Sequence, residues 1–257
     1  MGKYGAVGRP GFRGNLKVKA VILAGGKGTR LAPYTTVFPK PLMPVGEMPI
    51  LEIIIRQLKA AGVADIVLCV GYLSSLLEAY FGHGEKLGVK ISYSHEAEPL
   101  GTAGPLGLVA GLDETFLVMN GDLLTTIDYR GMLKFHREHG QSATIGVANK
   151  DVKIDLGVLE ISADHKLTNY IEKPVLKYKV SMGIYVFEPG VLTEIRGKGR
   201  LDLPDLILNL KKAGQSPMAY DSNCRWLDIG RVDDYTAASE TLERDRHLYL
   251  PEEGSSP

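Results

Sequence analysis

Short apolar runs alternate with amphipathic segments through the first half of the chain. The apolar runs predict strands over residues 19–24, 65–70, 89–94 and 116–119. The segments between them predict helices over residues 49–61, 74–81 and 103–110. Strands that alternate with helices in this way form a mostly parallel sheet covered on both faces, so we predict an α/β fold.

The second half of the chain contains more strand patterns and fewer helices. Its strands are predicted over residues 143–148, 157–161, 167–171, 183–187 and 216–220. Its helices are predicted over residues 129–139, 202–212 and 232–248. Asp202 and Asp205 are spaced like a capping box at the start of the second of these helices. We therefore predict that a β-rich lobe follows the α/β lobe.

The composition argues against several classes of partner. The 257 residues include 30 basic and 30 acidic side chains, so no net charge draws the chain to nucleic acid or to a membrane surface. The sequence contains no run of about 18 apolar residues, which a membrane-spanning helix would need. Residues 1–16 lack the apolar core of a signal peptide and are predicted to form a mobile leader.

The cysteines and histidines do not form a recognisable metal-binding or catalytic motif. Two cysteines fit a reducing cytoplasm, and Cys69 lies in an apolar strand pattern that predicts a core residue. Cys224 has no motif around it, and a reactive thiol stays open there. His136 and His139 lie three positions apart on a predicted helix without an evident third ligand, which favours a solvated helix face over a metal site. We therefore predict a cytoplasmic protein without a zinc site.

A glycine-rich loop directly follows the first predicted strand. Gly25, Gly26 and Gly28 let backbone N–H groups approach an anion closely. The spacing fits neither a P-loop, with Gly-Lys followed by Ser or Thr, nor the GxGxxG of dinucleotide sites. A turn that needs only glycine is the alternative, but Arg30 adds a side chain suited to gripping two phosphate oxygens. We interpret the loop as a phosphate site of another kind.

Lys40 stands between Pro39 and Pro41. Proline fixes its own φ and favours extended backbone in the residue before it, so this lysine has a rigid base. A lysine in such a tripeptide, taken alone, is more often a solvated surface charge. Its position shortly after the glycine loop instead favours a charge placed against a phosphate.

A series of motifs extends from the glycine loop towards the end of the chain. In chain order they are LAGGKGTRLAPYTTVFPKPLMPV, EPLGTAGPL, VMNGDLL, IEKP, MGIYVFEP and WLDIGRVDDY. Together they resemble the signature of the sugar-1-phosphate nucleotidyltransferases. The resemblance covers roughly residues 18–240 and is nearest to short members of the mannose-1-phosphate guanylyltransferase type.

The resemblance implies a Rossmann-like nucleotidyltransferase fold with a mixed, mostly parallel central sheet sandwiched by helices. The nucleotidyltransferase domain would cover residues 17–240, with a nucleotide-binding lobe at about 17–125 and a β-rich sugar-binding lobe at about 126–230. Residues 241–257 would complete the last helix and form a tail. In the implied reaction, a sugar 1-phosphate attacks the α-phosphorus of an NTP in line and releases pyrophosphate, so no protein nucleophile is needed.

The same resemblance assigns roles to individual residues, with Arg30 and Lys40 as the catalytic charges. The implied nucleotide-binding residues are Leu23, Ala24, Gly25, Gly26, Lys27, Gly28, Thr29, Glu98, Gly101, Thr102 and Asn120. The implied sugar-phosphate-binding residues are Gly157, Glu172, Lys173 and Gly183. Asp122 and Asp228 would bind Mg²⁺, which favours a few carboxylates together with phosphate oxygens.

The sequence departs from the family pattern where relatives face the sugar. Leu156 stands before Gly157, and Ser181 and Met182 precede Gly183. GTP and mannose 1-phosphate are the favoured substrates, but another NTP, or an amino-sugar, heptose or cyclitol phosphate, stays open. A non-catalytic subunit that binds nucleotide sugar is an alternative of another class, and the missing P-loop argues against a kinase. The sequence also leaves a homodimer open.

Overall fold

The structure, a computed structural model, describes residues 17–250. The predicted leader, residues 1–16, and residues 251–257 of the predicted tail lie outside the described residues. In the part of the chain that is described, no helix is both long enough and apolar enough to cross a membrane.

The described chain alternates strands and helices in its first half and is richer in strand in its second. The strands are β1 (Lys19–Leu23), β2 (Pro44–Val45), β3 (Met48–Pro49), β4 (Asp65–Val70), β5 (Lys90–His95), β6 (Phe116–Asn120), β7 (Leu123–Thr125), β8 (Ala143–Lys153), β9 (Val158–Ile161), β10 (Leu167–Ile171), β11 (Val175–Phe187), β12 (Met218–Asp221) and β13 (Trp226–Asp228). The α-helices are α1 (Ile50–Ala60), α2 (Ser74–Phe81), α3 (Tyr129–His139), α4 (Leu203–Lys212) and α5 (Val232–Tyr249). Short 3₁₀ helices cover Thr29–Leu31, Tyr34–Thr36, Lys40–Leu42, Glu85–Leu87, Gly104–Leu108 and Pro189–Glu194.

The central sheet has the strand order β12-β8-β11-β6-β1-β4-β5. β1 runs parallel to both of its neighbours, β4 and β6, and β5 runs parallel to β4. β11 is antiparallel to β6 and to β8, while β12 runs parallel to β8. The predicted mixed, mostly parallel sheet is therefore confirmed.

Different helices cover the two faces of this sheet. Along β1, Ala20 and Ile22 belong to one apolar cluster and Val21 belongs to the other, because successive side chains of a strand point to opposite faces. The first cluster contains buried residues of α1, α2, α3 and α5, and the second contains those of α4. Burial on both faces explains why the parallel strands appear as continuous apolar runs.

Several predicted elements appear with unchanged bounds, namely Asp65–Val70, Ser74–Phe81 and Tyr129–His139. The helix predicted over residues 103–110 is instead the 3₁₀ helix Gly104–Leu108. A sequence that begins with Gly-Pro has poor α-helix propensity, which accounts for the shorter and tighter element.

The capping box predicted at the start of α4 is absent. Asp202 does occupy the N-cap position, but its side chain makes no cap bond to its own helix. Its carboxylate accepts a hydrogen bond from the backbone N–H of Thr102 instead. The carboxylate of Asp202 therefore bonds a residue that is distant in sequence instead of the first turn of its own helix.

The prediction of a solvated histidine face is wrong for His136, although His139 is exposed. The side chain of His136 is 1% exposed. Its Nδ1 lies 2.9 Å from Thr144 Oγ1, and its Nε2 lies 2.9 Å from Glu188 Oε1. Both oxygens come from strands or strand ends that pack on α3, so the helix sequence alone does not reveal the burial.

The two cysteines differ in environment. Cys69 is buried on β4, as predicted for a core residue, and burial raises the pKa of its thiol to about 12. Cys224 is half-buried, and its Sγ lies 3.8 Å from the Sδ of Met182.

The far ends of β8 and β11 leave the central sheet as a two-stranded ribbon, and the hairpin of β9 and β10 follows at its end. We call residues 149–179 the arm. The sequence predicts that β8 ends at residue 148 and that β11 begins at residue 183. It misses the parts of both strands that lie in the arm, because their side chains do not alternate between a buried and an exposed face. Large apolar side chains of the arm are exposed, namely Val152, Leu156, Leu159, Ile161, Leu167, Tyr170, Ile171, Val175, Leu176 and Tyr178.

Candidate active site

The glycine loop begins where β1 ends, at the carboxyl edge of the parallel strands. The N–H of Ala24 donates to the carbonyl of Cys69 over 2.8 Å, which ties the loop to β4. A Cβ added at Gly25 would lie 2.5 Å from Glu96 Oε1. Glycine at this position therefore lets a carboxylate from the loop after β5 approach the backbone.

Two features of the backbone at position 28 require glycine, namely its φ angle and the lack of space for a side chain. Its φ of 61° lies in the left-handed region, and an added Cβ would lie 2.9 Å from Thr35 Cγ2 and 3.2 Å from Lys40 Cβ. The hydroxyl of Thr35 donates to the Gly28 carbonyl over 2.8 Å. The loop is therefore folded back onto the segment that carries Lys40.

Lys40 lies between two buried prolines, and only 11% of its side chain is exposed. Its ammonium group donates a short hydrogen bond to Oδ2 of Asp122. The rigid base predicted from the two prolines is consistent with this arrangement, in which a cation is held at the edge of the sheet.

Asp122 and Asp228 are brought together by the pairing of β7 with β13. In the antiparallel register Asp228 lies opposite Leu123, and the N–H of Ile229 donates to the Asp122 carbonyl over 3.1 Å. Burial raises the pKa of Asp228, the negative charge of Asp122 raises it further, and Lys40 and Arg30 oppose the change. Asp228 is nevertheless among the exposed residues. These interactions place both carboxylates and both cations in one region.

Arg30 lies against the loop that follows β13. A Cβ added at Gly230 would lie 3.2 Å from Arg30 Nη1, so the guanidinium group packs closely against the backbone of this loop. We call Arg30, Lys40, Asp122 and Asp228 the charged cluster. It joins residues from four separate parts of the sequence.

The charged cluster contains two carboxylates, which are ligands of the kind that Mg²⁺ binds. Oδ1 of Asp122 is buried and has no hydrogen-bond partner. Such an orphaned oxygen is costly unless it meets a cation or a water molecule. Within residues 17–250, no group of three or more His, Cys, Asp or Glu side chains could hold a metal ion. A metal at this pair would therefore need further oxygens from phosphate or water, which is how Mg²⁺ usually binds.

A cleft of about 280 Å³ lies between β11, the end of β6 and the start of α4. Its lining residues are Thr102, Asn120, Ser181, Gly183, Tyr185, Leu203 and Pro204. Gly183 has a φ of 72°, and an added Cβ would lie 2.6 Å from Asn120 Nδ2. The structure thus brings Thr102 and Asn120, predicted to bind nucleotide, next to Gly183, predicted to bind sugar phosphate.

The other predicted sugar-phosphate residues lie on the arm. The side chains of Glu172 and Lys173 are 59% and 65% exposed and lie 3.9 Å apart. Lys173 has a φ of 44°, a strained value for a residue with a side chain. The Tyr170 hydroxyl packs against Gly157, where an added Cβ would lie 2.3 Å from it. These three residues do not line the cleft.

Met182 occupies a position that faces the sugar in relatives, but its side chain is buried in the core, whereas its neighbours Ser181 and Gly183 line the cleft. Glu98 is exposed, whereas Glu96 reaches Gly25 and accepts from the N–H of Leu100 over 3.0 Å. The sequence could have suggested Glu96, since it is the first carboxylate after β5, but nothing in the local pattern separates it from Glu98.

A family model for nucleotidyl transferases matches residues 19–245. The chain belongs to this family. This member is 37% identical over 241 residues to the mannose-1-phosphate guanyltransferase beta-B of Xenopus laevis, an alignment that covers 90% of this chain and 67% of that protein. It is 35% identical to the UTP–glucose-1-phosphate uridylyltransferase of Synechocystis sp., with 86% of this chain and 62% of that protein covered. The chain therefore spans about two thirds of the length of these relatives.

The fold of this family member also matches solved structures. A Bacillus anthracis protein provisionally named glucose-1-phosphate thymidylyltransferase superposes with a TM-score of 0.71 at 27% identity, and 89% of this chain and 96% of that chain are covered. The predicted Rossmann-like nucleotidyltransferase fold is thereby confirmed.

Proposed function

We propose that the protein transfers a nucleotidyl group from an NTP to a sugar 1-phosphate and releases pyrophosphate. The observation that carries this proposal is the charged cluster at the carboxyl edge of the sheet, where ligands of such sheets bind. Its two cations and two carboxylates lie beside the glycine loop. The membership of the nucleotidyl transferase family supports the same chemistry.

The reaction needs positioned charge rather than a protein nucleophile. An oxygen of the sugar phosphate forms a bond to the α-phosphorus, while the bond from that phosphorus to the bridging oxygen breaks and the electron pair leaves with pyrophosphate. Arg30 neutralises the leaving pyrophosphate, and Lys40 faces the α-phosphate and the incoming phosphate. Lys40 is paired with Asp122 in the structure, so it is held in place before substrate arrives.

Mg²⁺ is the cofactor that fits this site, and Asp122 and Asp228 are the residues that would hold it. When bound, it supplies positive charge that offsets the charge developing on the phosphate oxygens. The buried oxygen of Asp122 without a partner is the structural argument for this assignment. The glycine loop keeps its backbone close to the site, because Gly25 and Gly28 leave no room for side chains.

GTP and mannose 1-phosphate are the substrates we favour. The mannose-1-phosphate guanyltransferase relative supports this pair, whereas the uridylyltransferase relative keeps UTP and glucose 1-phosphate as the main competitors. Glu98, which is exposed, is the carboxylate that we propose to contact the base. A carboxylate can accept from the ring N–H and amino groups of guanine.

A screen of pyrophosphate release tests the proposal. The protein is incubated with Mg²⁺, each of the four common NTPs and a panel of sugar 1-phosphates, and Asp228→Ala is run beside the wild type. We expect release above the variant's background, highest with GTP and mannose 1-phosphate. Nucleotide-sugar binding without release in any combination would contradict the proposal and favour a non-catalytic subunit.

A further inference from the structure

The backbone that carries Lys40 has few hydrogen-bond donors of its own. Residues 39, 41 and 44 are prolines, which lack an N–H group. We call residues 36–44 the lysine segment. Within residues 17–250, no backbone hydrogen bond joins the lysine segment to the loop after β4 or to α5. Its position relative to these two elements therefore depends on side chains.

Tyr72 fastens one end of the lysine segment to the side of the glycine loop. It directly follows Gly71, where an added Cβ would lie 3.3 Å from the carbonyl oxygen of Gly25. The loop after β4 is therefore packed against the backbone of the glycine loop. From this loop the hydroxyl of Tyr72 donates to the carbonyl of Thr36 over 2.7 Å.

Tyr235 fastens the other end of the lysine segment to α5. Its hydroxyl donates a short hydrogen bond to the carbonyl of Pro44. The helix begins shortly after Asp228, and its first turn is fixed by the carboxylate of Asp234, which accepts from the N–H of Arg231 over 2.9 Å. The Pro44 carbonyl is thus tied to the element that directly follows the second carboxylate of the charged cluster.

These two hydrogen bonds complement the ion pair of Lys40 with Asp122. The ion pair holds the end of a long side chain, whereas Tyr72 and Tyr235 hold the backbone from which that side chain extends. A catalytic charge works best when its position is fixed before the reaction, and a displacement of about 1 Å can cost on the order of 10²-fold in rate.

We propose that Tyr72 and Tyr235 are positioning residues that hold Lys40 against the transferring phosphate. They act through the carbonyls at the two ends of the lysine segment and not through contact with a substrate. A segment held at one end can pivot about that end, so both hydroxyls are needed. This inference rests on the proposed nucleotidyl transfer.

Kinetics of three phenylalanine variants test this role. Tyr72→Phe and Tyr235→Phe remove a hydroxyl and keep the ring. Each should lower kcat for pyrophosphate release about threefold, and the double variant about tenfold, because one or both anchors are lost. The KM values for the NTP and the sugar 1-phosphate should change less than about twofold, since the loss is confined to the transition state. Tyr93→Phe is the control and should leave kcat unchanged, because it removes a similar bond, of 2.6 Å to the Gly82 carbonyl, that does not involve the lysine segment.

A double-mutant cycle with Lys40→Ala separates a positioning role from a structural one. If the two hydroxyls act through Lys40, Tyr72→Phe and Tyr235→Phe should have almost no further effect on kcat in the Lys40→Ala background. Losses as large as those in the wild-type background would overturn the inference. An unchanged kcat in the variant that lacks both hydroxyls would overturn it as well.

Hydrogen exchange tests the anchoring without turnover. Loss of both hydroxyls should speed exchange in peptides covering residues 36–44 about tenfold relative to the wild type and Tyr93→Phe, because the segment opens more often. Equal exchange in all three proteins would overturn the anchoring whatever the activity of the wild type. A wild type that releases no pyrophosphate would refute the proposed function instead.

Discussion

The charged cluster, which we propose to act in nucleotidyl transfer, and the arm, whose Glu172 and Lys173 are predicted from the family resemblance to bind the sugar phosphate, are built in opposite ways. In the cluster, Lys40 and Asp122 form an ion pair whose side chains are 11% and 21% exposed. On the arm, Glu172 and Lys173 are more than half exposed. Among the described residues, the hydrogen bonds of residues 156–173 stay within the arm.

The difference indicates which half of the site is organised before substrate arrives. Groups that stabilise a transferring phosphoryl group work best when they are already fixed, because no reorganisation is then needed during the reaction. A group that selects among acceptors can be placed by the substrate itself, at some cost in ordering. We therefore expect substitutions in the cluster to lower turnover and substitutions on the arm to change acceptor binding.

The largest effect is expected at the two carboxylates. Asp122→Ala or Asp228→Ala should lower kcat on the order of 10³-fold, because either change removes a ligand for Mg²⁺ next to the transferring group. Asp221→Ala, which breaks an exposed ion pair with Lys179, is the control and should change kcat less than twofold. The measurements are pyrophosphate release over a Mg²⁺ titration and the melting temperature. Near-normal turnover in Asp228→Ala would remove the basis for placing the metal here.

A smaller loss is expected at the two cations. Arg30→Ala and Lys40→Ala should each lower kcat on the order of 10²-fold, as for other preorganised charges at a transferring phosphate. Lys40→Arg keeps the charge but not the geometry between the prolines, so it should recover only part of the rate. Single-turnover measurements separate this loss from slow product release. If both alanine variants stay within threefold of the wild type, the glycine loop serves structure alone.

Substitutions on the arm are expected to change the KM for sugar 1-phosphates by about tenfold. Lys173→Ala should raise the KM of all sugar 1-phosphates alike, because it removes a charge that the shared phosphate meets. Glu172→Ala should change the ranking of mannose 1-phosphate and glucose 1-phosphate, because a sugar hydroxyl loses its partner. The kcat/KM values for both sugars check the assignment. Re-ranking by Lys173→Ala together with an unchanged ratio in Glu172→Ala would reverse the two roles.

The smallest effect is expected for the stability of the arm. Leu167→Ala should change the free energy of unfolding by less than about 0.5 kcal/mol, because Leu167 is 59% exposed. Leu117→Ala in β6, where the side chain is fully buried, should cost about 2–5 kcal/mol and provides the reference. Urea denaturation measures both. A cost above about 1.5 kcal/mol for Leu167→Ala would show that the arm is packed in solution, and the contrast with the charged cluster would fail.

The sequence predicts the parallel part of the fold well, because burial on both faces makes its strands plain apolar runs. The prediction misses strands that pair with a distant part of the sequence and strands whose side chains are exposed. β7 and β13 are three residues each and stabilise one another from distant positions, so neither has a local pattern strong enough to be found. β11 begins eight residues before its predicted start, at Val175 instead of residue 183, because its first residues have no buried face.

The same limit applies to the site. The glycine loop and Lys40 were recognisable because glycine and proline have strong local meaning, and the structure places both near Asp122. Asp202 was interpreted as a helix cap, since its partner Thr102 lies a hundred residues earlier. Met182 was expected at the sugar because of its neighbours in sequence, but the side chains of β11 alternate, so Ser181, Gly183 and Tyr185 line the cleft and Met182 faces the core.

The pairing of β13 with β7 has a consequence for the synthesis of the protein. A ribosome completes the glycine loop, Lys40 and Asp122 long before it reaches Asp228. A nascent chain can thus form its parallel strands while it carries only one of the two carboxylates. A chain clipped before Trp226 is left in the same state. Completion of the charged cluster therefore depends on the pairing of β13 with β7, which is possible only after synthesis has passed Asp228.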